Sequence, residues 1–118
     1  MRLIRCDISF SDQIRAILND AILNSTALYD YHPWTPEMMT AWFEVKEKGN
    51  YPVIGLVTET GELAGFGSYG VFRSRPAYKY TVEHSLYVAQ PFRGRGLGML
   101  ILQEIISAAR AQGYHVLV

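Results

Sequence analysis

The sequence contains one cysteine, Cys6, so no internal disulfide forms; that fits a reducing compartment and leaves stability to the apolar core. It has no net charge, with 11 basic and 11 acidic residues, so nothing in its overall electrostatics favours nucleic acid or an anionic membrane surface. It lacks any apolar run near the ~20 residues that cross a bilayer. The opening stretch Met1-Arg2-Leu3-Ile4-Arg5 lacks the apolar core of a signal peptide. The sequence has no internal repeat, low-complexity tract or linker. Hydrophobic residues make up 49% and charged residues 19% of 118, the balance of a folded chain with one core. These features predict a single domain in the cytoplasm. Cys6, in a short run of mixed apolar and charged residues, reads as a packed thiol rather than a nucleophile. His32 and His115 show no ligand spacing, so no metal site is expected.

Periodicity gives the order β-α-α-β-β-β-α-β. Arg2 to Asp7 reads as a strand. Ser9 and Ser11 are candidate caps for a helix that buries Ile14, Ile17, Leu18, Ala21 and Ile22 at helical spacing. Asn24 to Pro36 is a loop whose aromatics Tyr29, Tyr31 and Trp34 suit either a cover over a site or the core. Pro36 suits the first turn of a second helix, ending near Lys48 with Gly49 as stop. Val53 to Thr58 is a strand, Thr60-Gly61 a tight turn, and Leu63 to about Phe72 the returning strand. Arg73 to Lys79 is polar loop and Tyr80 to Val88 a further strand. Arg93 to Gly98 then turns into a helix with Leu97, Leu100, Ile101, Ile105 and Ala108 on its buried face. Gly113 stops that helix, and His115 to Val118 forms an apolar strand. The final β-α-β step predicts a parallel pair, the earlier hairpins antiparallel ones: a mixed α/β sheet flanked by helices.

The strongest chemical signal is Arg93-Gly94-Arg95-Gly96-Leu97-Gly98 between a strand and a helix. A helix start offers unpaired N–H groups and the positive dipole end. Glycines let an anion approach the backbone, and arginines add charge-assisted hydrogen bonds to phosphate. A pyrophosphate-bearing ligand follows. A Walker loop needs Lys and then Ser or Thr after its last glycine, and neither is present. The dinucleotide pattern G-x-G-x-x-G would need glycine at Met99 or Ile101, and the acidic residue expected about 20 positions on is missing.

The pattern R-x-x-G-x-G, here Arg93, Gly96 and Gly98 after Leu86-Tyr87-Val88, resembles the acetyl-CoA motif of the GNAT superfamily of N-acetyltransferases. The run Thr81 to Val88, with Asn19-Asp20-Ala21, Thr26-Ala27, Tyr51-Pro52-Val53, Gly65 to Gly70 and Phe72-Arg73, is similar to the phosphinothricin and methionine sulfone/sulfoximine N-acetyltransferase branch. The likeness spans the whole chain. It implies a GNAT-like, mostly antiparallel sheet with one splayed parallel pair. It also implies acetyl-CoA as cosubstrate, with the pantetheine arm along Leu86, Tyr87 and Val88 and the pyrophosphate on Arg93, Gly94, Arg95, Gly96, Leu97, Gly98 and Met99.

For the acceptor, the resemblance implies the α-amino group of a small amino-acid-like molecule, lined by Glu83, His84 and Ser85 and met by Arg73, Ser74 and Arg75. Glu83 takes the role of general base, because the attacking amine must lose a proton near neutral pH. A carboxylate inside an apolar strand is costly unless partnered. His84, one residue on, faces the other side of the sheet and reads as packing or contact. Relatives of this kind are often homodimers and continue beyond the strand at His115, where the group protonating the leaving thiolate is usually found. The expectation is a domain over 1–118 that lacks the C-terminal part of the family fold. The competing expectation is an acyl-CoA-binding module without turnover; within enzymes, the competing acceptors are a peptide N-terminus, a polyamine or an aminoglycoside.

Overall fold

The structure is a computed structural model that describes residues 1–23, 32–71 and 80–118. Strand β1 (Arg2–Arg5) leads through a 3-10 turn into α1 (Ser11–Leu23). Then come α2 (Pro36–Lys48), β2 (Val53–Val57), β3 (Leu63–Val71), β4 (Thr81–Val88), α3 (Leu97–Ala111) and β5 (Val116–Leu117). They form a five-stranded sheet in the order β1-β2-β3-β4-β5. The first three pairings are antiparallel, and β4 with β5 is parallel. The mixed, mostly antiparallel sheet with one parallel pair is therefore as expected.

Both faces of the sheet are covered. On one, Ile14, Ile17 and Leu18 of α1 and Met39 of α2 pack with Cys6, Val53, Val57, Leu63 and Phe66. On the other, Ile101, Ile105, Ala108 and Ala109 of α3 pack on Ile54, Leu56, Tyr69 and Val82. Two-sided burial explains why β2 and β3 read as continuous rather than alternating apolar runs. Trp34 packs against the α1/α2 face, and Asn19 fixes its backbone: Trp34 N–H donates to Asn19 Oδ1 at 2.6 Å and Asn19 Nδ2 donates to Trp34 O at 3.1 Å. Trp34 is thus half-buried against the core; Tyr29 and Tyr31 lie outside the described residues.

Several boundaries differ from expectation. β1 ends at Arg5 because Asp7 leaves the ladder to cap the turn, accepting from Ser9 N–H at 3.0 Å. That cap precedes α1, so Ser9 and Ser11 do not serve as its first signal. Thr35 caps α2 through Met38 N–H. The left-handed residue after α2 is Asn50 (φ 55), while Gly49 stays right-handed (φ −84). Ala21 and Ile22 are half-buried rather than core. Leu100 is 46% exposed, not buried. At about 100° per residue, Leu100 falls off the stripe centred on Ile101, Ile105 and Ala108, and Ala109 completes that stripe instead.

Candidate functional site

The glycine-rich corner is built by three consecutive pieces of chain. β4 runs antiparallel to β3, pairing Gly70 with Glu83, Ser68 with Ser85, Phe66 with Tyr87 and Gly65 with Val88. Its other edge meets β5 only near its start, at Thr81 and Val82. Val118 N–H donates to Val82 O at 2.8 Å, and His84 N–H donates to Val118 O at 2.9 Å. By the alternation of a ladder, the outward groups of β4 are those of Val82, His84, Leu86 and Val88. Among the described residues β5 does not reach Leu86 or Val88, so the outward N–H and C=O of Leu86 and the N–H of Val88 lie along an edge, while Val88 C=O accepts from Arg93. Tyr87 turns the other way, its ring stacked on Phe66 at 5.5 Å.

After Val88, Gln90–Phe92 make a 3-10 turn, and the chain reverses through Gly94 (φ +82) and Gly96 (φ +73). These left-handed angles strain any residue with a Cβ. A Cβ at either position would meet nothing within 4 Å, so the outer side of the corner is open. Gly96 is the N-cap of α3 and supplies no side-chain cap. The first N–H groups of α3, at Leu97, Gly98 and Met99, are left without intrahelical acceptors. Gly98 is half-buried, and Met99 is 58% exposed.

The two arginines of the corner behave differently. Arg93 Nε donates to Val88 O at 3.0 Å, and its Nη2 lies 3.8 Å from Asp20 Oδ2 of α1. Arg93 therefore ties the corner to β4 and α1. Arg95 lies over the ring of Phe92 at 5.6 Å and is exposed. The sequence treated them as equivalent; the difference is made by Asp20, far away along the chain in α1. An unpaired strand edge that flows into an uncapped helix start offers donors and acceptors for an extended amide chain, followed by N–H groups for a diphosphate.

On the α1/α2 side of β4, Lys46, Gly70, Val71, Glu83, His84 and Ser85 line a recess of about 220 Å³. Glu83 is exposed: its carboxylate is on the rim of the recess and bears no cost of an apolar setting. His84 pairs with Tyr69, whose side chain lies under α3, and its Nδ1–H donates to Val118 O at 2.7 Å. It borders both the recess and a cleft formed with Leu102 and Ile106 of α3. Lys46 was not singled out from the sequence. Its Nζ donates to Tyr69 O at 3.0 Å and stands 5.2 Å from the Trp42 ring centre and 5.8 Å from that of Tyr51. Burial lowers its ammonium to about 8. A basic residue at i+4 from Trp42 on one helix was the available signal, but nothing local ties α2 to β4. Arg73, Ser74 and Arg75 lie outside the described residues. Cys6 is a packed thiol: burial, reinforced by Asp7 beside it, pushes it up to about 12.

A model of the acetyltransferase (GNAT) family matches residues 19–118. The chain belongs to the GNAT acetyltransferase family. Among relatives of this GNAT chain, the L-methionine sulfoximine/L-methionine sulfone acetyltransferase of Pseudomonas aeruginosa is 43% identical over 105 residues. That match takes in 89% of this chain and 61% of the relative. A crystal structure of an N-acetyltransferase from Staphylococcus aureus superposes with a TM-score of 0.90 at 41% identity, covering 98% of this chain and 70% of that one. A phosphinothricin acetyltransferase from Sinorhizobium meliloti, solved in complex with acetyl-CoA, gives a TM-score of 0.88 at 28% identity. It covers 96% of this chain and 61% of that one. The GNAT chain thus spans about three-fifths of the length of the curated relative, and the branch suggested by Thr81 to Val88 is the one found. Among the described residues, no helix is long and apolar enough to cross a membrane.

Proposed function

We propose that the chain is an acetyl-CoA-dependent N-acetyltransferase, one GNAT-like domain over 1–118, that acetylates the α-amino group of a small amino-acid-like acceptor. The acceptors meant are of the methionine sulfone, methionine sulfoximine or phosphinothricin type. The observation that carries this reading is the edge of β4 from Leu86 to Val88, left uncovered by β5 among the described residues, running into the uncapped start of α3. The names of the relatives support the acceptor class. A homodimer in the cytoplasm completes the proposal; the buried Cys6 thiol fits a reducing compartment.

When bound, acetyl-CoA supplies an acetyl group activated as a thioester. The chain's own tasks are then three. Leu86 and Val88 hold the pantetheine arm through backbone groups. Gly94, Arg95, Gly96, Leu97, Gly98 and Met99 receive the diphosphate on backbone N–H groups, with Arg95 adding charge and Arg93 keeping the corner in shape. Glu83 would accept a proton from the acceptor's ammonium, leaving a neutral amine; the C–N bond to the acetyl carbon would form as the C–S bond breaks, and the departing thiolate would take up the proton the nitrogen sheds, giving free coenzyme A. Ser85 lies two residues along the same face of β4. Arg73, Ser74 and Arg75 meet the acceptor, where a guanidinium fork matches a carboxylate or phosphinate.

The deciding experiment measures free thiol released from acetyl-CoA with methionine sulfone as acceptor, beside calorimetry with acetyl-CoA alone. Release of coenzyme A with acceptor is expected. Glu83→Gln should lower turnover by about 10²-fold or more at neutral pH, the usual worth of a general base. Equal turnover of Glu83→Gln from neutral to mildly alkaline pH removes Glu83 from that role. Binding without thiol release describes an acyl-CoA-binding module; no binding at all ends the proposal.

A further inference from the structure

Within that reading, we infer that Lys46 is a specificity residue of the acceptor recess, its ammonium taking the α-carboxylate of an amino acid whose α-amino group turns to Glu83. The two charged groups come from different elements, α2 and β4, and line one recess of about 220 Å³. Neither of the ion pairs found among the described residues, Arg15 with Asp12 and Arg93 with Asp20, involves Lys46 or Glu83. Among the described residues the recess is thus lined by one ammonium and one carboxylate, with the His84 imidazole beside them. An α-amino acid carries the complementary pair on one carbon.

The ammonium is held ready rather than free. An ammonium has three donors. One is spent on Tyr69 O at 3.0 Å, and among the described residues no other hydrogen-bond partner takes the remaining two. The rings of Trp42 and Tyr51, at 5.2 and 5.8 Å, border it with their faces, which restricts the otherwise flexible lysine stem. Room for it depends on β3: a Cβ at Gly70 would stand 3.3 Å from Nζ, and Gly70 is the residue paired with Glu83 across the ladder. Burial that lowers the ammonium to about 8 means that an arriving anion replaces water already partly lost. A cation placed only for structure has no need of a recess it shares with the acceptor's base.

The test compares calorimetric binding of L-methionine sulfone and of its primary carboxamide, in the presence of coenzyme A, to the wild-type chain and to Lys46→Met. Wild type should prefer the acid. Lys46→Met should weaken the acid by about tenfold or more and leave the amide within about twofold, since only the charged hydrogen bond is removed. Lys46→Gln, which keeps donors without the charge, should lose the preference likewise and serves if the Met variant fails to fold. A wild type that binds acid and amide equally, or variants that keep the wild-type preference, overturns the assignment. Thiol release by wild type with the acid is measured alongside: its presence with an unchanged preference sinks Lys46 alone, and its absence sinks the parent reading.

Discussion

The glycines inside β3 and the glycines after β4 are the same residue put to opposite uses. A Cβ built at Gly67 would lie 2.4 Å from Ile105 Cδ1 and 2.9 Å from Ile101 Cγ2; at Gly65 it would lie 2.9 Å from Tyr87 O. These glycines have ordinary backbone angles and are required for volume, because α3 lies directly on them. Gly94 and Gly96 have empty space where a Cβ would point and are required for their left-handed backbone. The first pair brings the helix down on the sheet. The second turns the chain so that the helix start stays open to a ligand. A glycine count from sequence merges two demands, one belonging to the fold and one to the site.

Substitution separates them. Gly67→Ala is expected to have the largest effect on stability, a loss of about 1–3 kcal/mol from overpacking between β3 and α3. Ile101 and Ile105 are fully buried and have little room to yield. Chemical denaturation measures the loss, and the folded fraction should still bind acetyl-CoA. Unaltered stability would mean that α3 does not rest on Gly67 as tightly as the distances say. Gly96→Ala reverses the balance. It forces a left-handed angle on alanine, at a cost of about 1 kcal/mol, and pushes against no neighbour. Its main effect should fall on acetyl-CoA affinity, as the corner relaxes and the α3 N–H groups lose their aim. Calorimetry on this variant with wild-type affinity would break the distinction between the two pairs.

That distinction also marks how far the sequence could be read. The order of elements, the parallel last pair and the span Pro36–Lys48 follow from local period and punctuation, because helix faces and turns are decided within a few residues. The turn from Arg93 to Gly98 was legible for the same reason, its left-handed glycines and the helix start after it being set by contiguous backbone. What escaped is what depends on register across the chain. Leu100 keeps i, i+3 spacing from Leu97 yet sits about 100° round the helix from Ile101, and which of the two rows α3 buries is decided by how it lies on the sheet. The unlike roles of Arg93 and Arg95 depend on Asp20 in α1. The exposure of Glu83 depends on what α2 leaves uncovered, and Lys46 joins the recess only because β3 brings Gly70 opposite Glu83. None of these relations is periodic, so no pattern along one strand or helix announces them.

Gly70 completes the comparison with the smallest expected effect. It lies in the same strand as Gly65 and Gly67 but faces the other side of the sheet, towards α2 rather than α3, and it has no left-handed angle. Among the described residues, the one atom within 4 Å of a Cβ there is Lys46 Nζ, at 3.3 Å, the far end of a flexible side chain. Gly70→Ala should therefore leave stability level or raise it by about 0.4–1 kcal/mol, since alanine restricts the unfolded chain. The same methyl must displace Nζ by a few tenths of an ångström from its place beside Tyr69 O. If that ammonium meets the acceptor, binding of methionine sulfone weakens a few-fold while acetyl-CoA affinity is unchanged. A thermal melt and two titrations distinguish this from the alternatives: a loss of stability like that of Gly67→Ala would place Gly70 with the packing glycines, and unaltered acceptor binding would separate the position of Nζ from recognition.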